Sequence, residues 1–305
     1  AVFGNMLSAE TNDDLQALAQ KIMPLLSEHS NNITLNEKLF ARVKEVYDQK
    51  ETLQLTQEQS QLLENAYNSF VRHGANLEGE AREEYRKLTT ELSKLTLDFS
   101  ENNLKETNDY KLVITDKSQL AGLPESAVEA AAETAGEKGV EGWVFTLQAP
   151  SYGPFLTYAD SRDLRRELYM AYNTKCTHDN ASNNLEIVKK LANVRMEIAQ
   201  LLGYDNFAEY NLQERMAQNS ESVYKLLDQL LEAYTPTAKQ EYAEVQALAR
   251  QAEGEDFVLM PWDWAYYSHK LKDRKFNIDD ELLRPYFELN NVKQGVFGLA
   301  TRLYG

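Results

Sequence analysis

The chain has 305 residues, 43% of them hydrophobic, and carries a net charge of -16 from 48 acidic against 32 basic side chains. That length supports roughly two domains or one large helical body. The charge repels nucleic-acid phosphates and anionic lipid alike, which excludes both as partners. A single cysteine, Cys176, excludes an internal disulfide and any CxxC site, and no run reaches the roughly 18 apolar residues of a membrane span.

Long amphipathic helices are predicted over the first hundred residues. Thr11-Asn12 opens a stripe of Leu15, Leu18, Ile22, Leu25 and Leu26. A second stripe, Leu39, Val43, Val46 and Tyr47, opens near Thr34 or Asn36. Thr56 and Gln59 have capping-box spacing ahead of Leu62, Leu63, Ala66, Tyr67 and Phe70, and Gly74 ends that helix. A long, charged, partly exposed helix follows from Leu77 to about Leu104. Between Tyr110 and Leu147 the pattern changes, because Tyr110–Ile114 and Gly142–Leu147 are short and β-rich, predicting a small sheet. Leu123–Ser126 opens an alanine-rich helix that fails at Gly136 and Gly139. Pro150, Gly153 and Pro154 are expected to break the chain, dividing it into domains 1–150 and 151–305.

Helices resume with Leu164–Tyr172, capped by Asp160 or Ser161, and with Leu185–Leu202, ended by Gly203. Ser220 starts a long helix toward Ala252, in which Pro236 predicts a kink or break. Pro261 suits a first helical turn ahead of Trp262–Tyr267. Asp279 or Asp280 opens a short turn to Pro285, and Asn290-Asn291 caps the last helix. The fold class is predominantly all-α, a multi-helix body with a small β element around 110–147.

Chemical signatures are sparse. No phosphate-binding loop, GxGxxG or GxSxG occurs, and HExxH is absent. The four histidines, His29, His73, His178 and His269, never share a helical turn, so they lack the i, i+4 pairing of a helical zinc site. His29 and His73 fall at helix ends, His178 sits in a polar loop beside Cys176, and His269 follows two tyrosines. Adjacent carboxylates such as Glu83-Glu84 are expected on solvated faces. Trp262, Trp264, Tyr266 and Tyr267 admit two readings, a core-forming helix or a cleft wall with hydroxyls facing a peptide, and core is the expectation.

Several stretches together resemble the thimet-oligopeptidase and peptidyl-dipeptidase family of zinc metallopeptidases. They are Pro150–Asp160 running into Arg162–Arg165, Glu197–Tyr204 with Phe207–Tyr210, Met216-Ala217, Pro261–Tyr267, Leu283–Asn290 and Gly295–Phe297. The wording WDWA and PYFELN is similar to the peptidyl-dipeptidase branch. The opening half, at Thr11–Asp13 and Leu39–Val43, resembles it more loosely. The resemblance implies a larger two-lobed helical protein whose deep channel admits only short peptides. It further implies one zinc held by HExxH and a downstream glutamate, with release of C-terminal dipeptides. In that family HExxH lies beyond the Gly-Val-Phe helix. No catalytic or metal-binding residue is therefore carried over, no substrate-binding residue is assigned, and zinc is expected in the parent protein but not in these residues.

Both ends read as cut, since Ala1 is not an initiating methionine and Leu299–Gly305 stops on a helical pattern. The chain is expected to fold without hydrolysing peptides and to expose surface that further polypeptide covers. An internally cleaving oligopeptidase of the same family and a non-enzymatic helical binding protein are the alternatives. No signal peptide pattern opens the sequence as it stands, and the cytoplasm is the favoured compartment.

Overall fold

The computed structural model describes residues 2–277 and 283–305, so the turn expected at Asp279 or Asp280 lies outside the described residues. The fold is predominantly α-helical with one two-stranded sheet, as the sequence pattern predicts. The chain forms two compact units. One comprises Ala1–Glu106 with Cys176–Leu230, the other Thr107–Lys175 with Leu231–Gly305.

In the first unit, helices α1 (Val2–Ala9), α2 (Asp13–Thr34), α3 (Glu37–Asp48), α4 (Gln57–Arg72) and α5 (Gly79–Asp109) follow one another. Their starts are set by local hydrogen bonds. Asn12 accepts from the Leu15 amide at 2.9 Å and Asn36 from the Leu39 amide at 3.0 Å. Thr56 and Gln59 exchange the two bonds of a capping box. Gly74, at φ +83°, takes the left-handed turn after α4 that a side chain rarely adopts. Tyr85, Leu88 and Leu95 of α5 bury themselves against Leu35 and against Leu191, Val194 and Ile198 of α9 (Leu185–Leu201). Each such side chain contributes about 1.5–3 kcal/mol when fully buried. Asn184, also buried, is satisfied on both sides, accepting from Asn102 at 2.9 Å and donating to the Phe99 carbonyl at 3.0 Å. A short helix, α10 (Phe207–Leu212), follows α9.

The second unit contains the sheet, strands β1 (Leu112–Ile114) and β2 (Trp143–Phe145), paired antiparallel with Leu112 opposite Phe145 and Ile114 opposite Trp143. Gly142 enters β2 at φ +103°, and a Cβ there would sit 2.3 Å from the Ile114 carbonyl oxygen. One face of the sheet packs on α6 (Glu125–Glu137), α7 (Ala149–Tyr158) and α8 (Arg162–Asn173) through Ala131, Phe155, Ala159 and Leu168. The break expected at Pro150–Pro154 is instead helix α7. Pro150 falls in the first turn, where no amide bond is lost, and only Pro154 removes an internal one. Ser161, rather than Asp160, caps α8.

Helix α11 (Ser220–Glu253) passes Pro236 unbroken. Residues around the proline are solvent-exposed, so water can take the carbonyl that its missing N–H leaves free. A 3-10 turn at Pro261–Asp263 leads into α12 (Trp264–Phe276), which packs Tyr266 and Tyr267 on Val245, Ala249 and Leu259. The last helix, α13 (Leu289–Tyr304), is capped by Glu288, which accepts from the Asn291 amide at 2.9 Å, not by Asn290-Asn291. It buries none of its residues; Leu289, Val296, Phe297, Leu299 and Leu303 all stand exposed.

Candidate functional site

The densest polar arrangement in the second unit surrounds Asp263, whose side chain is 0% exposed. Its position follows from the Pro261–Asp263 turn, which points the carboxylate back so that Oδ2 accepts from the Met260 amide at 3.0 Å. The Ser161 cap starts α8 just before Arg162 and Arg165, whose three-residue spacing puts both on one helix face. Arg165 Nη2 donates to Asp263 Oδ1 at 3.0 Å, and Arg162 Nη2 to Oδ2 at 2.7 Å. The remaining donors of Arg165, which is 1% exposed, go to the carbonyls of Ala159, Asp160 and Trp262 at 2.7, 3.1 and 3.3 Å.

The arrangement is a lock. The carboxylate beside Arg162 holds that guanidinium's proton above its ordinary range, chiefly through the hydrogen bond. Both guanidinium groups also lie over rings, the Arg165 Cζ 4.0 Å from the centroid of Tyr266 and the Arg162 Cζ 4.3 Å from that of Phe257. Burying a charged pair gains little net energy by itself, but removing one partner strands the other, at about 3–5 kcal/mol.

The WDWAYY segment divides along the same lines. Tyr266 and Tyr267 are buried, and their hydroxyls donate to Asp160 at 2.6 Å and Glu253 at 2.7 Å. Burial first, and then these carboxylate partners, push both phenols well above their usual range, so they stay protonated donors. Core, not a cleft wall, is their role. Trp264 differs, being 42% exposed and stacked parallel to Tyr242 at 6.2 Å.

The histidines remain apart. His73 Nδ1 lies 2.6 Å from the Ser69 carbonyl at the end of α4. His269 Nε2 lies 3.4 Å from Asp273 Oδ2 and its ring meets Tyr158 edge-on at 4.6 Å. Cys176 is buried at φ +58°, its amide donating to the Glu106 carboxylate. Among the described residues, no three His, Cys, Asp or Glu side chains gather where a metal ion could be held, and no helix is long and apolar enough to cross a membrane. Sequence reasoning missed the Arg162–Asp263–Arg165 lock. Its only local sign was an aspartate set between two tryptophans, where a solvated charge is out of place.

Comparison with known proteins adds the context that this geometry lacks. Residues 155–305 match the profile of peptidase family M3. The chain is 35% identical over 302 residues to "Oligopeptidase A" of Escherichia coli, covering 98% of this chain and 44% of that protein. It is equally 35% identical, over 307 residues, to the "Dipeptidyl carboxypeptidase" of the same organism, with 100% and 45% covered. "Probable cytosolic oligopeptidase A" of Arabidopsis thaliana is 32% identical over 312 residues. The chain thus spans less than half the length of the curated relatives it matches. The match spans the second half of the chain, including the locked turn and helices α8 and α12 beside it, and the likeness to these relatives runs through the rest; the chain belongs to peptidase family M3.

Proposed function

We propose that these residues form scaffold and channel wall of a zinc metallopeptidase that releases dipeptides from the free carboxyl ends of short peptides. The observation carrying this reading is the end-to-end 35% likeness to a dipeptidyl carboxypeptidase, together with the family match. The WDWA and PYFELN wording supports the same branch. Family M3 is zinc-dependent in general, but the donor set here does not fit the ion. His29, His73, His178 and His269 stand on separate elements, and no group of three metal-binding side chains converges among the described residues. No step through zinc is assigned to them. The part proposed for this chain is mechanical: the Arg162–Asp263–Arg165 lock holds α8, the Pro261 turn and α12 in one fixed arrangement.

The test compares the 305-residue chain with a polypeptide extended through its reading frame to include HExxH. Metal analysis and cleavage of one short peptide, in free-carboxyl and amidated forms, are read on both. The expected result is dipeptide release by the extended form from the free-carboxyl peptide only, with neither turnover nor stoichiometric zinc in the 305 residues alone. Turnover with stoichiometric zinc in the shorter chain would overturn the assignment. The equal 35% likeness to oligopeptidase A favours a second reading, internal cleavage. Equal cutting of the amidated peptide would select it.

A further inference from the structure

Helix α13 buries none of its 16 residues. Isolated helices of about 12–15 residues are marginal in water even when rich in alanine. Gly295 and Gly298 lie inside this one, and glycine is the poorest helix former after proline. The helix therefore needs a cover to hold its shape.

Its side chains describe that cover. At about 100° per residue, Leu299, Val292, Leu303, Val296, Leu289 and Phe297 follow one another round an arc of about 160°. Their exposure runs from 39% at Val292 to 69% at Leu289. Together they present on the order of 500 Å² of apolar surface, near the upper end for a folded monomer and the mark of an interaction site. Gly295, Gly298 and Arg302 fall on the opposite side. One partner helix covers only a narrow seam, so an arc this wide seats in a groove between two. Lys293 stands within the arc, between Leu289 and Phe297, and residues 289–305 contain no acid. Covering the arc draws the ammonium out of water, which is unfavourable unless a carboxylate meets it.

We propose that α13 seats in an apolar groove between two helices, with a carboxylate opposite Lys293, formed by polypeptide that family M3 proteins hold outside the part this chain matches. The match covers 44% and 45% of the two Escherichia coli relatives, which leaves ample chain to build such a groove. A second copy of this chain fits worse. It brings the same lysine and no acid on its own α13, and two bodies of net -16 repel each other. The proposal rests on the reading of these residues as part of a longer family M3 peptidase.

Hydrogen exchange read by mass spectrometry tests it, on the 305-residue chain and on the polypeptide extended to include HExxH. In the 305 residues the α13 amides should exchange within about tenfold of an unstructured peptide, since nothing covers the helix. In the extended polypeptide they should slow at least about 100-fold further. There Lys293→Glu sets like charges together and should remove about tenfold or more of that protection, whereas Lys293→Arg keeps it. Circular dichroism reports whether the glutamate variant folds; if it does not, the two unaltered chains decide. Equal exchange in the two chains would overturn the proposal. So would slow exchange in the 305 residues that deepens with their concentration, the sign of a second copy as cover, or full protection in a folded Lys293→Glu. Dipeptide release is read on the same extended sample, so its absence while α13 is protected counts against the peptidase reading alone.

Discussion

Replacing Asp263 by alanine tests the lock directly. Four donors lose their acceptor: Arg162 Nε and Nη2, Arg165 Nη2 and the Met260 amide. Arg162 is 41% exposed, so water recovers most of its share. Arg165, 1% exposed, has no such recourse, although three carbonyls still accept from it. The expected cost therefore lies near the lower end of the range for stranding a buried charge, about 3 kcal/mol. Against a total stability of about 5–15 kcal/mol for a domain, that is a large fraction. Urea unfolding followed by far-UV circular dichroism would measure it, with tryptophan emission as the local report, since Trp262 and Trp264 flank the aspartate. Following both signals matters because a chain of two compact units need not unfold in one step. The paired variant Asp263→Leu with Arg165→Met should recover most of the loss, because the charge it leaves unmatched, on Arg162, is 41% exposed to water. A cost below about 1 kcal/mol for Asp263→Ala, or a paired variant no better than the single one, would refute the account of Arg165 as a buried charge held by one carboxylate.

Two further outcomes follow from backbone and phenol chemistry. Gly142→Ala should destabilise the second unit by about 1–3 kcal/mol, since φ is +103° and the added carbon meets the Ile114 carbonyl at 2.3 Å. Gly136→Ala, in α6 with open space around it, should stabilise by about 0.4–1 kcal/mol, and chemical denaturation of the pair reads both signs. Burial pushes the Tyr110 and Tyr152 phenols up from 10.0 to about 12. Both favour the protonated form in the fold, so their contribution is fully present below pH 10 and is lost as pH rises toward about 12. Denaturation midpoints measured across that interval should fall, and less steeply in Tyr152→Phe; a flat profile would contradict the burial of these rings.

Much of the helical body was legible because its determinants are local. The caps at Asn12, Asn36 and Thr56 act within three residues, and the leucine and valine stripes of α2, α4, α5 and α9 repeat at helical spacing. Helix α1 escaped notice because its 8 residues are too few to show a repeating apolar stripe. Helix α7 escaped because Pro150 and Gly153 look like a break until Phe155 and Ala159 are seen packed into the sheet's core. Tertiary context also decided the tyrosines. From sequence alone Tyr266 and Tyr267 were expected in a core, with a cleft wall as the second reading, and nothing nearby named their carboxylate partners. The lock was least legible, its guanidiniums and carboxylate being about a hundred positions apart, beyond the reach of any periodicity.

The exposed apolar side of α13 has a colloidal consequence. Like-charge repulsion, from a net -16, opposes the meeting of such stripes on neighbouring molecules. Electrolyte shortens the reach of that repulsion from about 10 Å at 0.1 M to about 3 Å at 1 M. Added salt should therefore drive this chain out of solution, and dilute buffer of low ionic strength is where it keeps best.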